Sequence, residues 1–150
     1  MIFIPEKRNI GFEIKLADNL IKRRLEATKP KELDMATGCH SFALRFFAEN
    51  TDRDIFQKDF EEKFSIRRST ATKILQLMEK NGLIERQKVE NDARLKKIVL
   101  TKKALDIHKK AVGNIEVLEQ NMLKDISQDE IETFLKVLDK INLNLEEGNV

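Results

Sequence analysis

Apolar residues recur every three or four positions along most of the chain, a spacing that is typical of amphipathic helices. The first stripe begins near Ile10 and stops before Pro30, and it comprises Ile10, Ile14, Ala17, Leu20, Ile21 and Leu25. Two more stripes follow Lys103, and the second of them comes directly after the capping-box sequence Ser127-Gln128-Asp129-Glu130. The pattern therefore predicts one long helix near the N-terminal end and two near the C-terminal end.

The segment after Pro30 predicts two shorter helices with aromatic inner faces. The first has, at helical spacing, Cys39, Phe42, Ala43, Phe46 and Phe47, with Thr37 as its N-cap. In the second, Phe56, Phe60 and Phe64 recur every four residues, and Asp54 is the expected N-cap. Core packing is the favoured role of the first cluster, while Phe42, Phe46 and Phe47 are also candidates for lining an effector pocket.

A fourth helix is predicted over residues 66–80, with Ser65 capping or preceding it. Its buried side would comprise Ile66, Ala71, Ile74, Leu75 and Met78, and its outer side Arg67, Arg68, Ser69, Thr70, Thr72, Lys73 and Gln76. No acidic residue occurs in residues 66–78, whereas an ordinary solvent-exposed face mixes both signs of charge. Because two short helices with so brief a connection must cross, the second projects its N-terminal half outward. Arg, Lys, Ser and Thr contact base edges and phosphates, so this face predicts a recognition helix.

A hairpin is predicted after this helix. Asn81-Gly82 is the expected stop, because glycine adopts the left-handed conformation after a helix without steric penalty. Residues 83–89 and 95–101 are rich in β-favouring side chains and predict two strands around a charged turn at residues 90–94. Arg94 near the tip is placed to enter a narrow, A·T-rich minor groove. Asp92 either holds the Arg94 guanidinium or is an Asx-turn residue, and the two roles are compatible.

Charge is distributed unevenly, although the formal net charge of the 150 residues is only +2. Residues 66–103 contain 11 Lys or Arg and 4 Asp or Glu, a net charge of +7, while residues 113–150 contain 3 and 9, a net charge of −6. A basic centre beside an acidic end indicates that one surface meets a polyanion. The length suits one ordinary domain, and a composition with five Gly and two Pro favours helix over an all-β fold.

Several function classes are disfavoured. No stretch approaches 18 consecutive apolar residues, and Pro5 and Glu6 interrupt the apolar N-terminal run, so we expect a cytoplasmic protein without membrane contact. Phosphate-binding loops and nucleophile elbows are lacking, so we expect neither an enzyme nor a cofactor.

Cys39 beside His40 lacks further metal ligands at suitable spacing. As the sole cysteine, Cys39 is a candidate redox sensor, although a small buried hydrophobe is the commoner outcome at an inner helix position.

The segment from residue 64 to residue 101 resembles the MarR family of transcriptional regulators, and the order of elements extends this resemblance over nearly the whole chain. Residues 73–86 are similar to the family's recognition helix and its continuation into the first wing strand. Asn91-Asp92-Ala93-Arg94 matches the acidic-x-arginine wing tip, and Leu100-Thr101 matches the Leu-Thr that closes the second strand. One departure leaves the start of the next helix open, because Lys102, Lys103 and Ala104 replace the usual glycine.

The resemblance implies a homodimer that binds a pseudo-palindromic operator, often as a repressor relieved by a small molecule or an oxidant. It also implies which residues contact DNA. The major groove or its phosphates would be contacted by Arg67, Arg68, Ser69, Thr70, Thr72 and Lys73. In the wing, Arg94 would contact the minor groove, Asp92 would orient Arg94, Arg86 would sit at the base, and Lys96 would be a further contact.

We therefore expect a mainly α fold with a small β-hairpin wing, that is, a winged helix-turn-helix with long N- and C-terminal dimerisation helices. Within a single domain of residues 1–150, residues 34–103 would form the DNA-binding lobe, and residues 8–29 and 104–147 the dimerisation lobe. The expected partners are duplex DNA, a second copy of the chain and a candidate small-molecule effector. Two alternatives stay open, namely a winged-helix adaptor that docks an acidic protein and a sensor that primarily binds a small molecule.

Overall fold

The computed structural model describes residues 7–28 and 39–147, except for the side chains of Cys39 and His40. These residues form six helices and one antiparallel two-stranded sheet. In chain order the elements are α1 (Ile10–Thr28), α2 (Cys39–Glu49), α3 (Gln57–Phe64), α4 (Arg68–Lys80), β1 (Ile84–Val89), β2 (Asp92–Leu100), α5 (Lys102–Met122) and α6 (Gln128–Glu146). The predicted mainly helical fold with a hairpin wing is confirmed, while the predicted cap Thr37 lies outside the described residues.

The chain divides into two compact units, Met1–Glu116 and Val117–Val150, and the division falls inside α5. The predicted boundaries of the DNA-binding and dimerisation lobes stay a prediction. Within the described ranges, none of the helices combines the length and the apolarity that a membrane span requires.

The core of the first unit is built around the aromatic side chains of α2 and α3. The Phe60 ring is fully buried, and its centroid lies 4.8 Å from that of Phe64 and 5.5 Å from that of Phe47. Phe46 is also buried, so the predicted core role of Phe46 and Phe47 is confirmed. Phe42 differs, because 41% of its surface is exposed. The core thus fixes α2 and α3 and supports α4, whose Ala71, Leu75 and Met78 are completely buried.

The start of α3 differs from the expectation. The predicted capping role of Asp54 is wrong, because the N-cap is Phe56, whose backbone N–H donates to Asp59 Oδ2 at 2.8 Å. The Asp59 backbone N–H in turn donates to the Phe56 carbonyl at 3.0 Å. Since the carboxylate at the third helical position already satisfies this N–H, the helix begins at Gln57. Asp54 instead faces Lys97 of β2, with Oδ1 and Nζ 3.4 Å apart.

The connection between α3 and α4 is a tight turn. Ser65 precedes α4 without capping it, which is one of its two predicted roles, and it ends α3 in the left-handed conformation with φ of 48°. The Ile66 N–H donates to the Glu61 carbonyl at 3.1 Å, and the Ile66 side chain packs partly buried against the core. The N-cap of α4 is Arg67, so the helix begins two residues later than predicted. The turn therefore sets the position of the first residues of α4.

The end of α4 matches the prediction. Gly82 has φ of +72°, its N–H donates to the Glu79 carbonyl at 3.0 Å, and the Leu83 N–H donates to the Met78 carbonyl at 2.9 Å. This pair of hydrogen bonds is a Schellman motif. The Thr101 hydroxyl also donates to the Gly82 carbonyl at 2.6 Å, so the turn is anchored to the end of the hairpin.

Gly82→Ala is expected to lower the free energy of unfolding by about 1–2 kcal/mol, because a Cβ is disfavoured at positive φ. The nearest atoms to such a Cβ are in Lys103 at 4.0 Å, so the destabilisation would be conformational and not steric. Gly113→Ala in α5 is the matched control, because a Cβ there meets nothing within 4 Å. It should stabilise by roughly 0.5–1 kcal/mol. Urea denaturation measures both, and effects of the same sign would contradict the role of the left-handed turn.

The start of α5 resolves the departure noted in the sequence. The helix begins at Lys102, with only Thr101 between it and β2, and the Thr101 hydroxyl accepts from the Ala104 N–H at 3.2 Å. Ala104 is completely buried, whereas Lys102 and Lys103 are exposed. The absence of the usual glycine therefore does not delay the helix.

Two of the long helices expose large apolar side chains. In α1 only Leu25 is buried, while Ile10, Ile14 and Leu20 of the predicted stripe are exposed. In α6 no residue is buried, although the predicted capping box is confirmed by Ser127 N–H to Glu130 Oε2 at 2.8 Å. The exposed apolar residues of α6 are Phe134, Leu135, Val137, Leu143 and Leu145. Each helix thus has apolar surface that the described residues leave uncovered.

Candidate nucleic-acid interface

The N-terminal half of α4 presents basic and hydroxyl side chains to solvent. We call this surface the recognition face, and its exposed members are Arg67, Arg68, Ser69, Thr70 and Lys73. The face arises from the helical period, because Ala71, Leu75 and Met78 occupy the opposite side and are buried. Among the described residues, no carboxylate pairs with the three cations of the recognition face. Their charge is therefore available to a polyanion.

Thr72 belongs to the predicted contact set but is held by the protein itself. It is half-buried, and its Oγ1 accepts a hydrogen bond from Gln57 Nε2 at 2.9 Å. Gln57 is the first residue of α3, so this hydrogen bond joins the two crossing helices. The structure thus brings Thr72 to the edge of the recognition face together with a residue that the sequence did not single out.

The tip of the wing, the hairpin of β1 and β2, has a shorter turn than predicted. Val89 pairs with Asp92, so the turn contains only Glu90 and Asn91, and the prediction that it extends to residue 94 is wrong. Lys88 pairs with Lys96, which leaves residues 93–95 of β2 between these two pairs without a partner on β1. Such a bulge bends a strand and redirects its side chains. Arg94 lies at the centre of this bulged segment.

Asp92 fixes the backbone next to Arg94. Its Oδ1 accepts from the Arg94 backbone N–H at 2.9 Å, which is the Asx-type bond expected as one of its two roles. The described residues include no hydrogen-bond partner for the Arg94 guanidinium, so the other expected role, a bond to the guanidinium, is not formed. Arg94 and Lys96 are both exposed. The wing therefore offers two cations to a ligand.

Arg86 lies at the base of the wing, as the family resemblance implied, but it faces α4. Its Nε lies 3.7 Å from Glu79 Oε2, and only 26% of its side chain is exposed. The Nε atom is buried and has no hydrogen-bond partner within the described part of the chain. Arg86 thus links β1 to α4 through its ion pair with Glu79.

The base of the wing is also tied to the segment before α3. The Ile98 N–H donates to the Ile55 carbonyl at 2.7 Å, and Ile55 is buried. The ion pair of Lys97 and Asp54 is adjacent. Sequence reasoning missed this anchor because Asp54 was assigned to a helix cap. The available signal was Ile55, a β-branched apolar residue outside the helical stripe.

The three candidate effector residues do not share one environment. Phe46 and Phe47 lie in the core, Phe42 is exposed, and the side chain of Cys39 lies outside the described residues. In the ranges that the structure covers, no three His, Cys, Asp or Glu side chains are grouped as a metal site requires. The pocket and redox roles remain predictions.

Comparison with known proteins gives the same picture from sequence. A family model described as MarR family matches residues 36–95, which run from before α2 into the bulged segment of β2. The chain is 27% identical over 135 residues to the uncharacterized HTH-type transcriptional regulator YwhA of Bacillus subtilis (strain 168). The match covers 86% of this chain and 94% of that protein.

Solved structures extend the similarity over both compact units. The transcription regulator MarR from Oenococcus oeni PSU-1 is 28% identical with a TM-score of 0.77, over 89% of this chain and 98% of its own. MepR of S. aureus, solved as a DNA complex, has a TM-score of 0.83 at 18% identity, over 93% and 99%. At that identity the second likeness bears on the fold alone. With its winged helix-turn-helix fold, the family model over residues 36–95 and relatives at 27–28% identity, this chain is similar to the MarR family of transcriptional regulators.

Proposed function

We propose that the protein is a homodimeric repressor that acts in the cytoplasm on a pseudo-palindromic operator. The observation that carries this proposal is the recognition face, which is exposed, contains three cations and includes no acidic residue. A protein that neutralises phosphates with Lys and Arg releases counterions and gains affinity for duplex DNA. A dimer presents a second recognition face, which binds a symmetry-related half-site about one helical turn away.

The proposed contacts divide between the two grooves. Arg67, Arg68, Ser69, Thr70, Thr72 and Lys73 would contact bases and phosphates of the major groove, where Arg pairs bidentately with guanine. Arg94 would enter the minor groove from the bulged segment, and Lys96 would neutralise a neighbouring phosphate. Asp92 would orient Arg94 through the hydrogen bond that its carboxylate accepts from the Arg94 backbone N–H. Arg86 would support the wing at its base, because its Nε is buried beside Glu79.

The proposed dimer is supported by the exposed apolar side chains of α1 and α6. Contiguous apolar surface on a soluble protein commonly marks an interface with another chain. Each of these two surfaces can form a two-fold interface with its counterpart on a second copy.

Phe134→Asp is expected to convert the dimer to a monomer, because Phe134 is exposed in the single chain and would be buried against a second copy. Sedimentation equilibrium should give twice the chain mass of 17.5 kDa for the wild type and the chain mass for the variant. Thr133→Asp places the same charge at an exposed position about 100° around α6 from Phe134, away from the apolar positions Ile131, Phe134 and Leu138, and should leave the dimer intact. A wild-type protein that sediments as a monomer at micromolar concentration would contradict the proposal.

Selection of duplexes from a random library by the wild-type protein tests the operator proposal. The enriched sequences should contain inverted half-sites with centres about 10 base pairs apart. If no sequence is enriched, the operator proposal is overturned. A dimer that ignores duplex DNA but captures an acidic protein would instead support the adaptor alternative.

We further propose that a small-molecule effector modulates operator binding. Phe42 supports this proposal, because a large exposed aromatic side chain on a helix whose inner face is core is suited to contact an apolar ligand. Among structural neighbours, PcaV of Streptomyces coelicolor was solved with its natural ligand, and the heme sensor PefR was solved with heme. A thermal-shift screen tests the idea, since a ligand at 100 times its Kd stabilises by about 2.7 kcal/mol. A true effector should act less strongly on Phe42→Ala.

A further inference from the structure

The hydrogen bond between Gln57 and Thr72 uses the Thr72 hydroxyl only as an acceptor. Thr72 Oγ1 accepts from Gln57 Nε2 at 2.9 Å, while a hydroxyl also has one hydrogen to donate. A threonine inside a helix often donates that hydrogen to the carbonyl four residues earlier, as Thr28 does to Arg24 at 3.0 Å in α1. Thr72 makes no such bond, and in the described ranges its hydroxyl donates to no acceptor. Its donor is thus unused.

We propose that Gln57 sets the polarity of the Thr72 hydroxyl, so that Thr72 presents a hydrogen-bond donor to an acceptor on DNA. This inference rests on the proposed function, because it assigns Thr72 a direct contact and Gln57 a positioning role. Thr72 is half-buried and lies directly before Lys73 of the recognition face. The amide at the start of α3 thereby prepares a contact made by α4.

Because Thr72 would donate a hydrogen bond, only some atoms of DNA can be its partner. A donor at this position fits guanine O6 or N7, adenine N7, thymine O4 or a phosphate oxygen, whereas cytosine presents an amino donor in the major groove. These acceptors share one chemistry, and they differ in whether the contact depends on sequence. A base acceptor would matter only on a specific site, while a phosphate acceptor would matter on any duplex.

Replacing the amide by a carboxylate is the most informative change at Gln57. A carboxylate only accepts hydrogen bonds, so Gln57→Glu would draw the Thr72 hydrogen inward and remove the donor from the DNA side. Gln57→Ala removes the constraint without reversing it. Gln57→Glu should therefore weaken DNA binding more than Gln57→Ala does.

A double-mutant cycle tests the proposal, with Kd measured by fluorescence anisotropy on the duplex selected by the wild type and on a shuffled duplex of equal composition. Gln57→Ala should raise Kd on the selected duplex about threefold to tenfold, the range of one neutral hydrogen bond. In the Thr72→Val background, Gln57→Ala should have no further effect. Gln57→Glu in that background measures the residual effect of the added charge.

Two controls separate positioning from folding. Thr72→Ser keeps the hydroxyl and should retain the response to Gln57→Ala, while Gln120→Ala removes a glutamine from an exposed position of α5 and should leave Kd unchanged. The salt dependence of Kd should be the same for Gln57→Ala and the wild type, because no cation is lost.

The outcomes are distinct. A loss confined to the selected duplex supports the proposal with a base as acceptor, and an equal loss on both duplexes supports it with a phosphate as acceptor. An unchanged Kd for Gln57→Ala, or an equal effect of that change in the Thr72→Val background, would overturn the inference and leave the proposed function standing. A wild-type protein that binds neither duplex would overturn both.

Discussion

Arg94→Ala is expected to raise the Kd for the selected duplex by about tenfold to a hundredfold, which corresponds to roughly 1.4–2.8 kcal/mol. Arg94 is exposed, lies in the bulged segment, and has its backbone N–H held by Asp92 at 2.9 Å. The bulge separates Arg94 from the regular ladder, and the Asx bond reduces the backbone freedom that would be lost on binding. A narrow minor groove concentrates the negative potential that attracts its guanidinium.

Two comparison variants make the Arg94 result specific. Arg94→Lys keeps the charge but loses the planar guanidinium, so it should recover only part of the affinity. Lys140→Ala removes a cation from an exposed position of α6, in the acidic part of the chain, and should leave Kd within a factor of two. Equal affinity of Arg94→Ala and the wild type at physiological salt would contradict the proposed minor-groove contact of Arg94.

Phe60→Ala is expected to lower the free energy of unfolding by about 3–5 kcal/mol, a large share of the 5–15 kcal/mol that is typical of a domain. Phe60 is completely buried, and its ring lies within 6.4 Å of the rings of Phe46, Phe47 and Phe64. Removing it would open a cavity where α2, α3 and α4 meet. Because α3 positions α4, the recognition face would lose its support as well.

The size of the Phe60 effect can be calibrated within the same chain. Phe42→Ala removes the same side chain from an exposed position of α2 and should change the free energy of unfolding much less, by about 1 kcal/mol or below. Guanidinium denaturation followed by circular dichroism measures both variants. A loss below about 1 kcal/mol for Phe60→Ala would contradict the aromatic core as the main support of the DNA-binding unit.

The helices and their ends followed from the sequence wherever one local rule was enough. The 3.6-residue period located α1, α2, α4 and α6, Gly82 marked the end of α4, and Ser127 with Glu130 marked the start of α6. These signals depend on residues within about one turn of each other, and the structure forms the corresponding hydrogen bonds.

Errors arose where two local solutions competed. Asp54 and Asp59 both stand near the start of α3, and the sequence does not show that Asp59 bonds the N-cap N–H while Asp54 faces Lys97. The charged residues 90–94 suit a five-residue turn as well as a two-residue turn followed by a bulge. Strand pairing decided between them, because Val89 pairs with Asp92.

Features that join distant residues could not be predicted from spacing. Gln57 and Thr72 are 15 positions apart, and only the crossing of α3 and α4 brings them within 2.9 Å. Arginine is a residue type that commonly contacts DNA, yet the register of β1 places the Nε of Arg86 beside Glu79. The exposed Phe12 and Leu16 of α1 fall outside the stripe that periodicity selected, because one helix can have apolar residues on two faces.

The salt dependence of the wild-type Kd on the selected duplex tests most directly whether the protein binds DNA through the cations of the recognition face and the wing. If the recognition face and the wing neutralise phosphates, a plot of log K against log salt concentration should be linear and fall with a slope of about −0.9 for each phosphate contacted. Replacing Arg67, Arg68 and Lys73 together by alanine removes these cations from both copies of the proposed dimer and should make that slope shallower by up to roughly 5. A slope near zero for the wild type, or an unchanged slope for the triple variant, would contradict DNA binding through the recognition face.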